Sequence, residues 1–164
     1  MYDMLLQSGR VIDPANKLDA VMDIAIADGA IAAIATSIDS TEADQTRDLS
    51  GCLITPGLID LHTHVYWAGT SIGVEPTRYA HKAGTTTLID AGTAGAANFL
   101  GFRRHVIEKA QPRILAFLNI SFPGIYAFSE SVMVGECANL DLLELGECLK
   151  VAREHSDLIV GIKV

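Results

Sequence analysis

At 164 residues, 49% hydrophobic and 20% charged, the chain is long enough to bury a core and too apolar for a disordered polymer or a fibre. Its formal net charge of −8 argues against nucleic acid or an anionic membrane as partner, because both select clustered Lys and Arg; small-molecule substrates fit better. Cys52, Cys137 and Cys148 are odd in number and lack a CxxC spacing, so neither a disulfide framework nor a zinc knuckle is expected, and a reducing cytoplasm is the simplest location. The N-terminus has no basic n-region, and the apolar run Val21 to Ile34 is broken by Asp23 and Asp28, so neither a signal peptide nor a membrane span is expected.

Residues 1–52 read as a small β module. Tyr2 to Gln7 and Arg10 to Ile12 flank Ser8-Gly9, and Asp23 to Ala27 leads through Asp28-Gly29 into Ala30 to Ile34, a hairpin pattern. Thr36 to Asp48 is polar and reads as an exposed connection. From Leu53 strands alternate with helices. The run Leu53 to His64 reads as one strand, and Pro76 to Gly84 as a helix with proline in its first turn and glycine as its stop. Thr85 to Asp90 is a second strand. Phe99, Phe102, Val106 and Ala110 recur at helical spacing up to Gln111-Pro112, and Ile114 to Ile120 is an apolar third strand. Asn119 to Gly135 reads as a long loop of the kind that is often functional. Asp141 to Glu144 resembles a capping box before a helix with an apolar stripe of Leu142, Leu145, Leu149 and Ala152, and Leu158 to Val164 is a fourth strand.

Four β/α steps after a β module fit an α/β barrel or an open doubly wound sheet. A complete eight-fold barrel takes roughly 250 residues, so residues 53–164 would supply only its first half. In barrels the chemistry lies at the C-terminal ends of strands, where His62, His64, Asp90, Asn119 and Lys163 fall. In a regular strand side chains alternate, so His62 and His64 share a face and can present two imidazoles to one divalent metal such as zinc. Asp60 would share that face and could support them, or make a structural hydrogen bond. A lysine such as Lys163 is ordinarily a solvated surface charge.

Other candidates have plainer readings. His81, His105 and His155 read as surface or capping residues. Gly92-Thr93-Ala94-Gly95 lies between a strand and a helix, but matches neither GxGxxG nor a P-loop. Tyr66, Trp67, Phe122 and Tyr126 could line a substrate pocket or act as packing anchors.

Pro56-Gly57-Leu58-Ile59-Asp60-Leu61-His62-Thr63-His64 resembles the first-strand signature of the amidohydrolase superfamily. Leu5 to Asp13 and Asp23 to Gly29 resemble the β module that opens many of its members. His64 to Trp67, Asp90 to Asn98, Asn119 to Gly124 and Val160 to Val164 look most like its deacetylase branch, a relative of the dihydroorotases. The resemblance implies a metal-dependent hydrolase TIM barrel preceded by a small β-sandwich module, with two zinc ions. It assigns His62 and His64 to the first-strand pair and Lys163 to a bridging, N-carboxylated lysine; carboxylation needs a neutral amine, a state that burial beside cations favours. The family's ligands from strands five, six and eight, including the catalytic aspartate, have no counterpart among these residues. The reading is therefore a truncated N-terminal part of an enzyme hydrolysing acyl amides or esters, itself inactive and oligomeric through unpaired strand edges. Alternatives are a non-catalytic binding or assembly protein on the same scaffold, and a dihydroorotase-like cyclic-amide hydrolase.

Overall fold

The computed structural model describes residues 1–164, which divide into two compact units, Met1–Pro56 and Gly57–Val164. In the first unit β1 (Met4–Asp13), β2 (Leu18–Ala27) and β3 (Ala30–Ala35) form an antiparallel meander. Asp28 and Gly29 both take positive φ, 51° and 72°, as a two-residue hairpin turn requires. Two short strands, β4 (Thr46–Asp48) and β5 (Leu53–Ile54), add to β1 in parallel.

The two strands expected on either side of Ser8-Gly9 are one strand with a bulge. Ser8 sits at φ 62°, the register slips between Leu6 and Gly9, and the Ser8 N–H donates to Asp23 Oδ1 at 2.8 Å. Asp23 Oδ2 accepts from the Ile38 N–H at 2.9 Å, so one buried carboxylate holds the bulge and the chain leaving β3. Leu5, Ala25 and Ile38 pack beside it as this unit's core.

The second unit contains β6 (Leu58–Thr63), α1 (Pro76–Ala83), β7 (Thr85–Gly95), α2 (Phe99–His105), β8 (Arg113–Asn119), a small hairpin β9 (Ala127–Phe128) and β10 (Met133–Val134), α3 (Leu145–Glu154) and β11 (Ile159–Lys163). The large strands form a parallel sheet in the order β11-β8-β7-β6, each beside its predecessor, as successive β/α steps place them. Fully buried Phe99 and Phe102, edge-on with centroids 6.2 Å apart, pack with Leu88, Ile114 and Leu118 on the helical side of the sheet. Each such ring contributes about 1.5–3 kcal/mol by leaving water. No helix is long and apolar enough to cross a membrane.

Three further expectations are corrected. The run Leu53 to His64 is two strands: Leu53–Ile54 pairs with β1, and the chain restarts at Leu58 after Pro56, which has no N–H to donate to a ladder. The loop 119–135 carries the β9–β10 hairpin. The capping box at Asp141 does not start α3. Asn139 caps a separate 3-10 turn at Leu140–Leu142, and the following backbone is engaged elsewhere: Phe122 N–H donates to Leu142 O at 2.8 Å and Glu144 N–H to Ile120 O at 3.2 Å. The helix begins at Leu145 with Glu144 as its cap, and buries Cys148, with Val151 and Ala152 packed partly under it, while Leu145 and Leu149 stay exposed.

Two tests follow. Burial pushes the Asp23 carboxyl up, but the Ser8 and Ile38 N–H groups and Gln7 outweigh it and leave it below the usual carboxylate range. Its stabilisation is therefore complete above the unfolded value, about pH 4, and lost as pH falls through the folded one. Asp23→Asn is expected to cost about 1–3 kcal/mol near neutrality in urea denaturation, with the difference from wild type shrinking in acid. Secondly, Ile59 and Leu61 on the edge strand β6, and Val160 and Ile162 on the edge strand β11, are exposed. The purified 164-residue chain is expected to self-associate, and light scattering should report species heavier than a monomer.

Candidate metal centre

His62 lies in β6 and His64 just beyond its end, where the register with β7 is irregular between Asp60 and Thr63. Thr63, between them, is buried and donates its hydroxyl to Ile89 O at 3.0 Å, which turns both imidazoles to the other side. Their centroids are 5.4 Å apart with the planes at 73°. The spacing expected from the sequence is thus realised as two rings that meet.

His64 is the more enclosed of the two. Its Nδ1 lies 2.8 Å from Thr93 Oγ1, and Thr93 Oγ1 lies 2.7 Å from Asp90 Oδ2. Asp90 is fully buried and also accepts from the Val65 N–H at 2.8 Å and the Thr93 N–H at 2.7 Å. Burial pushes the Asp90 carboxyl above the usual carboxylate range, against the pull of these donors and of His64. Burial likewise holds the His64 imidazole below its ordinary value; His62 and Lys163 act in the same direction, and Asp90 and Glu136 oppose them. A neutral imidazole near pH 7 is the form that offers a lone pair to a metal.

Lys163 is the last residue of β11, and its Nζ is 3.6 Å from Glu136 Oε1. Glu136 and the adjacent Cys137 both take left-handed conformations, at φ 50° and 55°, on the loop after β10. Gly92, at φ 85°, gives Lys163 its room: a Cβ there would stand 2.6 Å from Lys163 Cγ and 2.7 Å from its Cβ. Asn119, paired in register with Lys163, is buried, donates from Nδ2 to Gly92 O at 3.0 Å and accepts the Ser121 N–H at 2.8 Å.

The remaining candidates fall outside this centre. Asp60 turns to Tyr79, whose hydroxyl donates to it at 2.6 Å, and accepts the His62 backbone N–H at 3.1 Å, so it braces the strand and not the imidazole. His81 is exposed on α1, His105 closes α2, and His155 caps α3 with its ring 5.2 Å from Phe99. Tyr66 stacks on Phe102 at 4.8 Å, the packing alternative, while Trp67 lines a groove of about 400 Å³ with Val74, Arg78 and Tyr79. Sequence reading missed Thr93 and Glu136. The sequence offers Thr93 only as part of a possible phosphate loop and of the Asp90 to Asn98 resemblance, with no role of its own; a strand-end hydroxyl three residues after an aspartate is the available signal.

No cluster of three or more His, Cys, Asp or Glu side chains able to hold a metal ion forms within the 164 residues. The donors present fit a metal as a pair of imidazoles, the His64 ring being favoured as the neutral form by burial.

Comparison with known proteins places the chain. A deacetylase of Brucella anthropi is 41% identical over 147 residues, covering 89% of this chain and 36% of that protein. A deacetylase of Agrobacterium fabrum is 41% identical over 137 residues, 84% of this chain and 33% of its own length. The crystal structure of a dihydroorotase superimposes with a TM-score of 0.81 at 34% identity, covering 99% of this chain and 42% of that one. The chain belongs to the amidohydrolase superfamily. It matches the N-terminal part of these relatives and spans about a third of the length of the curated deacetylases. An adenine deaminase structure, 32% identical with a TM-score of 0.78, covers all of this chain and 41% of that one. No family model matches. The four-stranded parallel sheet matches the opening part of an amidohydrolase TIM barrel, preceded in sequence by the β module, and the metal-dependent family of its neighbours implies a metal cofactor.

Asn119→Ala would leave the Gly92 carbonyl and the Ser121 N–H without their partner. It is expected to lower stability by roughly 2–6 kcal/mol in urea denaturation, at about 1–3 kcal/mol for each orphaned buried group.

Proposed function

We propose that the protein containing these residues is a zinc-dependent deacetylase that hydrolyses an acyl amide or ester of a small molecule. The observation that carries the reading is the meeting of the His62 and His64 imidazoles at the C-terminal end of the first strand of an amidohydrolase sheet. His62 and His64 would hold the metal from this strand, and Lys163, as an N-carboxylated side chain, would approach from β11. When bound, such a cation lowers the pKa of water towards neutrality and polarises the acyl carbonyl. The role of this chain is to present two oriented imidazoles, one kept neutral by burial, and to hold Lys163 in the space that Gly92 leaves open.

The deacetylase reading is favoured over cyclic-amide hydrolysis by coverage. The two deacetylases match 89% and 84% of the chain, whereas the dihydroorotase of Geobacter metallireducens matches 38%. The cyclic-amide alternative is kept because a dihydroorotase structure superimposes over nearly the whole chain. Three free cysteines suit a reducing compartment such as the cytoplasm.

The test is metal content by atomic emission alongside hydrolysis of N-acetyl compounds and of dihydroorotate, using the complete reading frame that contains these residues. Bound zinc with deacetylation is the expected result, and the His62→Ala, His64→Ala double variant should lose both. Zinc unchanged in the double variant overturns the metal assignment, and turnover of dihydroorotate alone overturns the substrate class.

A further inference from the structure

His64 has two ring nitrogens, and only one can offer a lone pair when the ring is neutral. Which one it is depends on where the Nδ1 bond places its proton. Nδ1 meets Thr93 Oγ1 at 2.8 Å, and a hydroxyl can donate one proton only. If Thr93 donates to Asp90, it must accept from His64; if it donates to His64, Asp90 must supply a proton to it.

The surroundings of Asp90 decide the direction. Its Oδ1 accepts the Thr93 N–H at 2.7 Å, and its Oδ2 accepts the Val65 N–H at 2.8 Å. Both are backbone donors that cannot reverse. Both carboxyl oxygens thus already accept backbone N–H groups, which favours the ionised form that burial alone disfavours, and Thr93 Oγ1, 2.7 Å from Oδ2, completes the set as a donor. The same two backbone bonds fix its place, because they tie β7 to the chain leaving β6. Thr93 is itself fully buried, so no water competes for its hydroxyl.

We propose that Thr93 and Asp90 are positioning residues that lock His64 as its Nδ1–H tautomer through the chain His64 Nδ1–H to Thr93 Oγ1–H to Asp90 Oδ2, leaving Nε2 as the nitrogen presented to a metal. The tautomer stands on the hydrogen-bond geometry alone; the use of Nε2 rests on the metal assignment made above. A buried carboxylate acting through a hydroxyl orients the ring just as one bonded directly to it would.

The test separates the two. The full chain with ¹⁵N-labelled histidine is observed by two-bond ¹H–¹⁵N correlation at about pH 8, where an ordinary imidazole is neutral, and His64 is assigned by the signal missing in His64→Gln. A pyrrole-type Nδ1 and pyridine-type Nε2 are expected, and the reverse pattern overturns the proposal. This reading needs no substitution at Thr93, so a Thr93 variant that fails to fold leaves it decided. In Thr93→Val the signals should move to a mixture of tautomers or to Nε2–H, while Thr93→Ser restores the wild-type pattern. Folded Thr93→Val with an unchanged pattern also overturns the proposal.

Titration with zinc alone then reads the link to the metal, with about 10–100-fold weaker binding expected in Thr93→Val and recovery in Thr93→Ser. Zinc that fails to bind the wild-type chain while the Nδ1–H pattern is present overturns the use of Nε2 and leaves the tautomer supported. Equal affinity in wild type and Thr93→Val, with the tautomer changed, removes the relay's bearing on the metal.

Discussion

The buried carboxylate of Asp90 is the constraint on which the rest of the second unit is arranged. It accepts two backbone N–H groups and one hydroxyl, and through them it ties the end of the first barrel strand to the second. Removing one acceptor would orphan three donors at once in a site closed to water, so the carboxylate and its partners stand or fall together. The hydrophobic core under the sheet holds the strands in place, but this polar knot decides how the chain leaves β6. His64 inherits its orientation from that decision.

The two units use the same device at different scales. In the β module, Asp23 accepts the Ser8 and Ile38 N–H groups and thereby accommodates a bulge and a chain exit. In the sheet, Asp90 does so for a strand end and a site. Both aspartates stand on strands where an apolar residue would be the simpler choice. Backbone donors left over by irregular geometry need an acceptor, and a carboxylate can satisfy several from one position.

Legibility in the sequence followed the range of the interactions. The turn at Asp28-Gly29, the first-turn proline at Pro76 and the stop at Gly84 were readable because each depends on neighbours within a few residues. The parallel strands were readable from their apolar runs, and the spacing of His62 and His64 from the two-residue period of a strand. The break at Pro56 was obscured by apolar residues on both sides of it. The late start of α3 was hidden because residues 142–144 are bonded to 120–122, some twenty positions away. Thr93 could not be linked to His64 for the same reason, since 29 residues separate them. Glu136 reaches Lys163 only through two consecutive left-handed residues, a conformation that its sequence does not announce.

Gly92 offers a different lesson about how such a site can be tuned. Its missing side chain is the volume through which the stem of Lys163 passes, and its carbonyl is fixed from the other side by Asn119. The bare backbone at this point therefore acts as a gauge block between β7 and β11, against which the stem of the lysine lies. A side chain at position 92 would strain a backbone held at φ 85° and press on the Lys163 stem at once, so the placing of the lysine depends on a residue that bears neither charge nor donor atom.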